Sequence, residues 1–257
     1  MEKSRISFMR LIALLVGFSI LMTSCSLSKR GADLDSIDKD NQGKLICLFF
    51  PPNNTNYLNK TITLEFFKNI SNYKLKKVKL FQNHRAVSGE IQIKDGDVIW
   101  NKVTIGLTEF VPEFNRAEFT LAEGKTMILN VGQYYLEKLD YKENVLKDNE
   151  SYHLNNCTTH EHANRILSEY DFSIGNLSKL NVKIPNKILE LGYSQNLVEK
   201  YRNKSMVSYK YSGEIPLNYF KQNKITTISY EAIFLQDTLD KGIKNFVFQD
   251  SFTLEAR

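Results

Sequence analysis

Thr61-Ile62-Thr63-Leu64-Glu65-Phe66 and Glu90-Ile91-Gln92-Ile93-Lys94-Asp95-Gly96-Asp97-Val98-Ile99-Trp100 decide how this chain reads. In the first stretch apolar and polar residues alternate strictly, which puts Ile62, Leu64 and Phe66 on one face of an extended strand. In the second, two short runs flank Asp95-Gly96, a dipeptide suited to the type I′ turn of a hairpin. Outward from these, Lys77-Val78-Lys79-Leu80 alternates in the same way. Phe119 and Leu121 precede Glu123-Gly124-Lys125, and Met127, Leu129 and Val131 then form another one-sided set before Gly132 starts Gln133–Tyr141. Leu180–Ile184, Val207–Tyr211, Thr226–Tyr230 and Phe246–Phe248 continue the series. Short strands separated by polar turns predict a mainly β protein. The expected organisation is a β-sandwich over 44–155 and a mixed β/α part over 156–257.

Two helices are expected in that second part. Thr158-Thr159-His160-Glu161 matches a capping box, and Ala163, Ile166, Leu167 and Tyr170 follow at helical spacing, which predicts a helix over 159–170. A second, shorter helix is expected after Ser194, with Leu197, Val198 and Tyr201 inward. No repeat of fixed period is present. With 257 residues, 42% of them apolar, 25% charged and 12% aromatic, the composition excludes a disordered chain, and 12 Gly exclude collagen-like material.

The N-terminus decides the expected address. Lys3, Arg5 and Arg10 precede the apolar run Leu11–Met22, which at 12 residues is short of the roughly 20 needed to span a bilayer. Such a run suits a secretory signal over residues 1–24. Met22-Thr23-Ser24-Cys25 resembles the lipobox of bacterial lipoproteins, with Met in place of the more usual Leu. The resemblance implies a diacylglyceryl group on the Cys25 thiol, cleavage before Cys25 and acylation of the new N-terminus with a fatty acid such as palmitate. Ser26, not Asp, follows, which in enteric-type sorting resembles an outer-membrane address. Removing residues 1–24 takes away Lys3, Arg5, Arg10 and Glu2 and lowers the formal charge from +5 to +3. So mild a charge does not point to nucleic acid. Residues 25–43 are polar, with few apolar residues to bury, and read as a tether with an end-to-end distance on the order of 25 Å. A second resemblance concerns the body. Asn130-Val-Gly-Gln-Tyr-Tyr-Leu136 and Phe172-Ser-Ile-Gly-Asn-Leu177 are similar to a strand pair in envelope lipoproteins with a carboxypeptidase-regulatory-like sandwich. Such modules are adhesive or structural, which implies the same fold class here.

Several side chains are candidates for chemistry. Beside Cys25, Cys47 and Cys157 form an even pair in an exported body and suggest one disulfide; the alternative is two buried thiols, since Cys47 lies in the apolar Leu45–Phe50. His153, Cys157, His160 and His162 offer nitrogen and thiolate ligands for Zn²⁺ or copper. Against a metal, a disulfide would remove the thiolate, and His160-Glu-His-Ala-Asn164 lacks the second histidine of a zincin motif. Lys74, Lys76, Lys77 and Lys79 make a basic strip that suits anionic head groups or an acidic partner, or an edge strand guarded by lysine. Tyr134, Tyr135, Tyr209, Tyr211 and Tyr219 fit either a recognition surface or the core. No nucleophile elbow, Walker loop or dinucleotide fingerprint occurs. The expected function is therefore a lipid-anchored binding or scaffolding protein of the envelope, neither enzyme nor cofactor carrier, with a protein partner. The rivals are an immunity-type lipoprotein that neutralises a toxin and a metal-binding envelope protein.

Overall fold

The structure is a computed structural model, and it describes residues 41–50, 61–66, 69–139, 153–162, 164–175, 180–237 and 244–255. The expectations for residues 1–40, including Cys25 and most of the tether, lie outside them. The described chain is mainly β, as its alternation predicts, and sixteen strands form three sheets.

In the first half, β2 (Thr61–Glu65), β6 (Val98–Ile99) and β7 (Lys102–Gly106) form a three-stranded antiparallel sheet. It packs against β3 (Leu75–Gln82), β8 (Glu113–Leu121) and β9 (Thr126–Lys138), with β4 (Arg85–Ala86) and β5 (Ile91–Gln92) on the outer side of β3. The predicted inward set Ile62, Leu64 and Phe66 meets Val78, Leu80, Phe119 and Leu129 in one core.

In the second half, β10 (His153–His162), β11 (Arg165–Gly175), β13 (Ser194–Arg202) and β14 (Met206–Pro216) form a four-stranded sheet in the order β10-β11-β14-β13. It faces β15 (Thr227–Asp237) and β16 (Lys244–Glu255); β12 (Leu180–Lys183) also pairs with β15. Tyr170, Phe172, Tyr209 and Tyr211 from one layer and Tyr230, Phe234 and Phe252 from the other form a second, aromatic-rich core.

The halves are joined by β1 (Lys44–Phe50), which pairs in parallel with β9 on one side and with β15 on the other. Leu45 and Cys47 belong to the second core, whereas Ile46 and Leu48 pack against the first. The unbroken apolar run Leu45–Phe50 is thus the signature of a strand covered on both faces. One nine-stranded sheet runs across the 155/156 boundary, and the two smaller sheets cover its opposite faces.

Three local expectations are corrected. Residues 159–170 are not a helix: β10 and β11 form a hairpin that turns at Asn164 (φ 64°). Ile166 and Tyr170 fit a helical stripe, but Ile166, Ser168, Tyr170, Phe172 and Ile174 are all buried, and that period of two lets β11 pair with β14 along its whole length. Likewise the stretch after Ser194 is β13, on which Val198 and Tyr201 are exposed rather than inward. The α-helices among the described residues, α1 (Asn186–Glu190) and α2 (Leu217–Asn223), each begin directly after a proline, Pro185 and Pro216. Finally, Asp95-Gly96 does not close a hairpin. Only Gly96 has positive φ (94°), where type I′ needs it at both central residues, and the turn passes the chain from β5, paired with β3, to β6, paired with β7.

Candidate functional site

Cys47 lies where the two cores meet, fully buried, and its thiol is free. The expected Cys47–Cys157 disulfide is therefore not formed. Burial pushes the Cys47 thiol up to about 12, only partly opposed by the Lys187 ammonium, so it stays protonated and packs as a small apolar group. Beside it on β9, in register with Cys47, stands the half-buried Tyr135, with the Lys187 ammonium 4.9 Å from its ring centre. Lys187 pairs with Glu190 at 2.9 Å. Glu137 accepts from the Asn186 backbone N–H at 2.6 Å and from Asn186 Nδ2 at 3.2 Å, and Lys183 lies 3.5 Å away. The contacts of Asn186 with Glu137 and of Lys187 with Tyr135 seat α1 against the C-terminal part of β9.

A second polar group lies inside the aromatic core. Tyr193, between α1 and β13, reaches in to Tyr211 on β14 (2.7 Å between hydroxyls) and Tyr230 on β15 (2.5 Å). Tyr211 donates onward to Gln195 Oε1 at 3.3 Å, so the chain Tyr230–Tyr193–Tyr211–Gln195 satisfies each buried hydroxyl. Burial is the main cause that raises all three phenols. They hold their protons at any physiological pH and act as a hydrogen-bonded brace. Tyr134 and Tyr209 are also buried, so among the tyrosines considered for recognition only Tyr135 and Tyr219 reach the surface in part.

The candidate metal ligands are spread along one extended strand. His153 and His162 occupy opposite ends of β10, opposite Ser173 and Arg165, which at about 3.3 Å per residue separates them by roughly 30 Å. Cys157 lies between, opposite Tyr170, and His160 opposite Leu167. A strand cannot gather all four around one ion.

The basic strip falls on β3. Lys74 precedes the strand in a left-handed conformation (φ 44°), after the short 3₁₀ turn Ser71–Tyr73, and Lys76 is exposed. Lys77 pairs with Glu90 at 2.9 Å, and Lys79 faces Glu118 across the ladder to β8. β3 is not an edge strand throughout, since β8 lines one side and β4 and β5 parts of the other. Lys74 and Lys76 at its start remain open to solvent.

One surface feature escaped the sequence reading. Trp100, the sole tryptophan, is 73% exposed, and Ile99 beside it 68%. The strand ends at Ile99, and Trp100 takes φ +55°, unusual for a bulky side chain. Its backbone is fixed there: the Trp100 carbonyl accepts from the N–H groups of Ile70 (2.8 Å) and Ser71 (3.1 Å). Asn101 and Phe66 bond each other twice, Phe66 N–H to the Asn101 carbonyl at 2.8 Å and Asn101 Nδ2 to the Phe66 carbonyl at 2.7 Å. The indole is thus held outward by a rigid frame.

Asn130–Leu136 lies on β9 of the large sheet and Phe172–Gly175 on β11 of the four-stranded one, so these segments are not paired strands. No protein-family model matches the chain, and no curated protein matches it.

Proposed function

We propose that this protein is a lipoprotein of the bacterial envelope, held through Cys25 to the outer membrane, and that its β body is a binding or scaffolding module. One observation carries the reading: three cations, a 12-residue apolar run and Met22-Thr23-Ser24-Cys25 stand ahead of a polar stretch and a mainly β body. Two acyl chains or more at Cys25 would anchor it stably, since a single chain gives only marginal binding. A binding role is supported by how the polar interior is used. The Cys47 thiol stays protonated, the three phenols bond one another, and Glu137 and the Tyr135 ring seat α1. These groups are occupied in holding the scaffold.

The test is the intact mass of protein extracted from native membranes, together with fractionation of a Cys25→Ser variant. A processed, acylated N-terminus and release of the variant from the membrane pellet are expected. An unmodified N-terminus, or a variant that stays in the pellet, overturns the proposal. Capture of stoichiometric partners by the acylated protein then separates scaffolding from toxin neutralisation.

A further inference from the structure

We infer that Trp100 and Ile99 form a membrane-seating tip that dips into the phospholipid interface of the bilayer holding Cys25. This rests on the lipoprotein reading and adds a second contact with the same membrane. The position of the tip carries the argument. The described chain enters at Asn41, whose buried side chain donates to the Asn130 carbonyl at 3.1 Å, and β1 starts at Lys44. Lys44 Nζ bonds the carbonyl of Glu65 at 3.0 Å. Glu65 faces Lys102 across β2 and β7 and pairs with it at 3.2 Å, and Lys102 faces Ile99 across β7 and β6. Two strand spacings, about 10 Å, therefore separate Glu65 from Ile99. The tip and the point where the chain arrives from Cys25 share one side of the body. The sixteen residues 25–40 cannot span more than about 55 Å, which keeps the tip within reach of the anchoring bilayer.

The chemistry of the tip matches that target. Tryptophan favours the boundary between head groups and chains, where its apolar rings and its N–H are both accommodated. Ser71, which helps hold the Trp100 carbonyl, is three residues from exposed Lys74, which puts its ammonium beside the tip to meet anionic head groups. Of the carboxylates near the tip, Glu65 pairs with Lys102 at 3.2 Å and Asp97 accepts from the Lys94 N–H at 2.6 Å. A left-handed backbone fixed by two hydrogen bonds keeps the indole projecting instead of folding back on the sheet.

Because Trp100 is the sole tryptophan, its emission reports on this site directly. The acylated protein is reconstituted into vesicles of phosphatidylethanolamine and phosphatidylglycerol, and into matched vesicles with brominated acyl chains. A blue-shifted emission quenched by the brominated lipid is expected, with quenching reduced at least about threefold in Ile99→Asp, a change at an exposed position that leaves the core intact. Emission that stays water-like and open to acrylamide in vesicles overturns the inference. So does a blue shift that grows with protein concentration in detergent without lipid, which would place a second copy on the tip. An intact-mass spectrum of the same sample separates the two ideas: an acylated Cys25 with a water-exposed indole sinks the tip alone, and an unmodified Cys25 sinks the lipoprotein reading.

Discussion

Gly213 shows how a single missing carbon admits the tyrosine brace. A Cβ at this position of β14 would fall 1.7 Å from the Tyr193 hydroxyl and 2.5 Å from its ring. Tyr193 cannot swing aside without leaving its bonds to Tyr211 and Tyr230, so Gly213→Ala should destabilise the fold by about 3 kcal/mol in urea unfolding. The acid–base consequence of the buried groups is a loss of stability on the alkaline side. Cys47 has its pKa raised from 9.0 to about 12, and Tyr193 and Tyr230 are raised well above 10.0. An unfolded chain would release these protons first, so folding holds more protons than unfolding between pH 9 and 12. Their contribution is complete below pH 9 and is lost as pH rises through the folded values. The urea midpoint should therefore fall above pH 9. Iodoacetamide should leave Cys47 unlabelled in native protein at pH 8 and label it after unfolding; rapid native labelling would contradict the buried, protonated thiol.

Gly132 illustrates how one element reconciles two faces. Met127, Leu129 and Val131 point into the first core before it, and Tyr134 and Leu136 do so after it, so the parity of β9 changes within one strand. The change is a bulge: Phe114 pairs with Tyr134 while Arg116, two residues on, pairs with Asn130. Gly132 has φ +89°, and a Cβ there would lie 2.8 Å from Lys44 Cβ and 3.1 Å from the Lys44 carbonyl oxygen. Gly132→Ala should cost about 2–3 kcal/mol and raise amide exchange in both β9 and β1. Elements like β2 and the two halves of β9 were legible because each buries one face and reads as strict alternation. The β10–β11 hairpin was not, since Ile166 and Tyr170 satisfy both periods and only the ladder to β14 decides between them. α1 and α2 are shorter than the window in which a 3.6-residue period can be seen. The Trp100 tip was hidden for a related reason. Val98-Ile99-Trp100 reads as a strand, and its outward turn depends on bonds from Ile70 and Ser71, about thirty residues away.

At the scale of the molecule, β1 makes the two halves one cooperative body. It is parallel to both neighbours, pairing with β9 over Leu45–Phe50 and with β15 over Lys44–Cys47, and its side chains alternate between the two cores. Neither half can complete its part of the large sheet without it. Such pairing joins residues some 90 and 180 positions apart, so loop closure is costly and the strand is expected to dock late in folding. Leu45, 3% exposed, belongs to the second core alone. Leu45→Ala should cost about 2–4 kcal/mol. If β1 couples the halves, that loss should appear equally in the exchange of β14, beside the altered core, and of β8, on the far side of the sheet, within a single urea transition. Faster exchange confined to β10–β16, or two separate transitions, would show that the halves fold independently and that β1 merely bridges them.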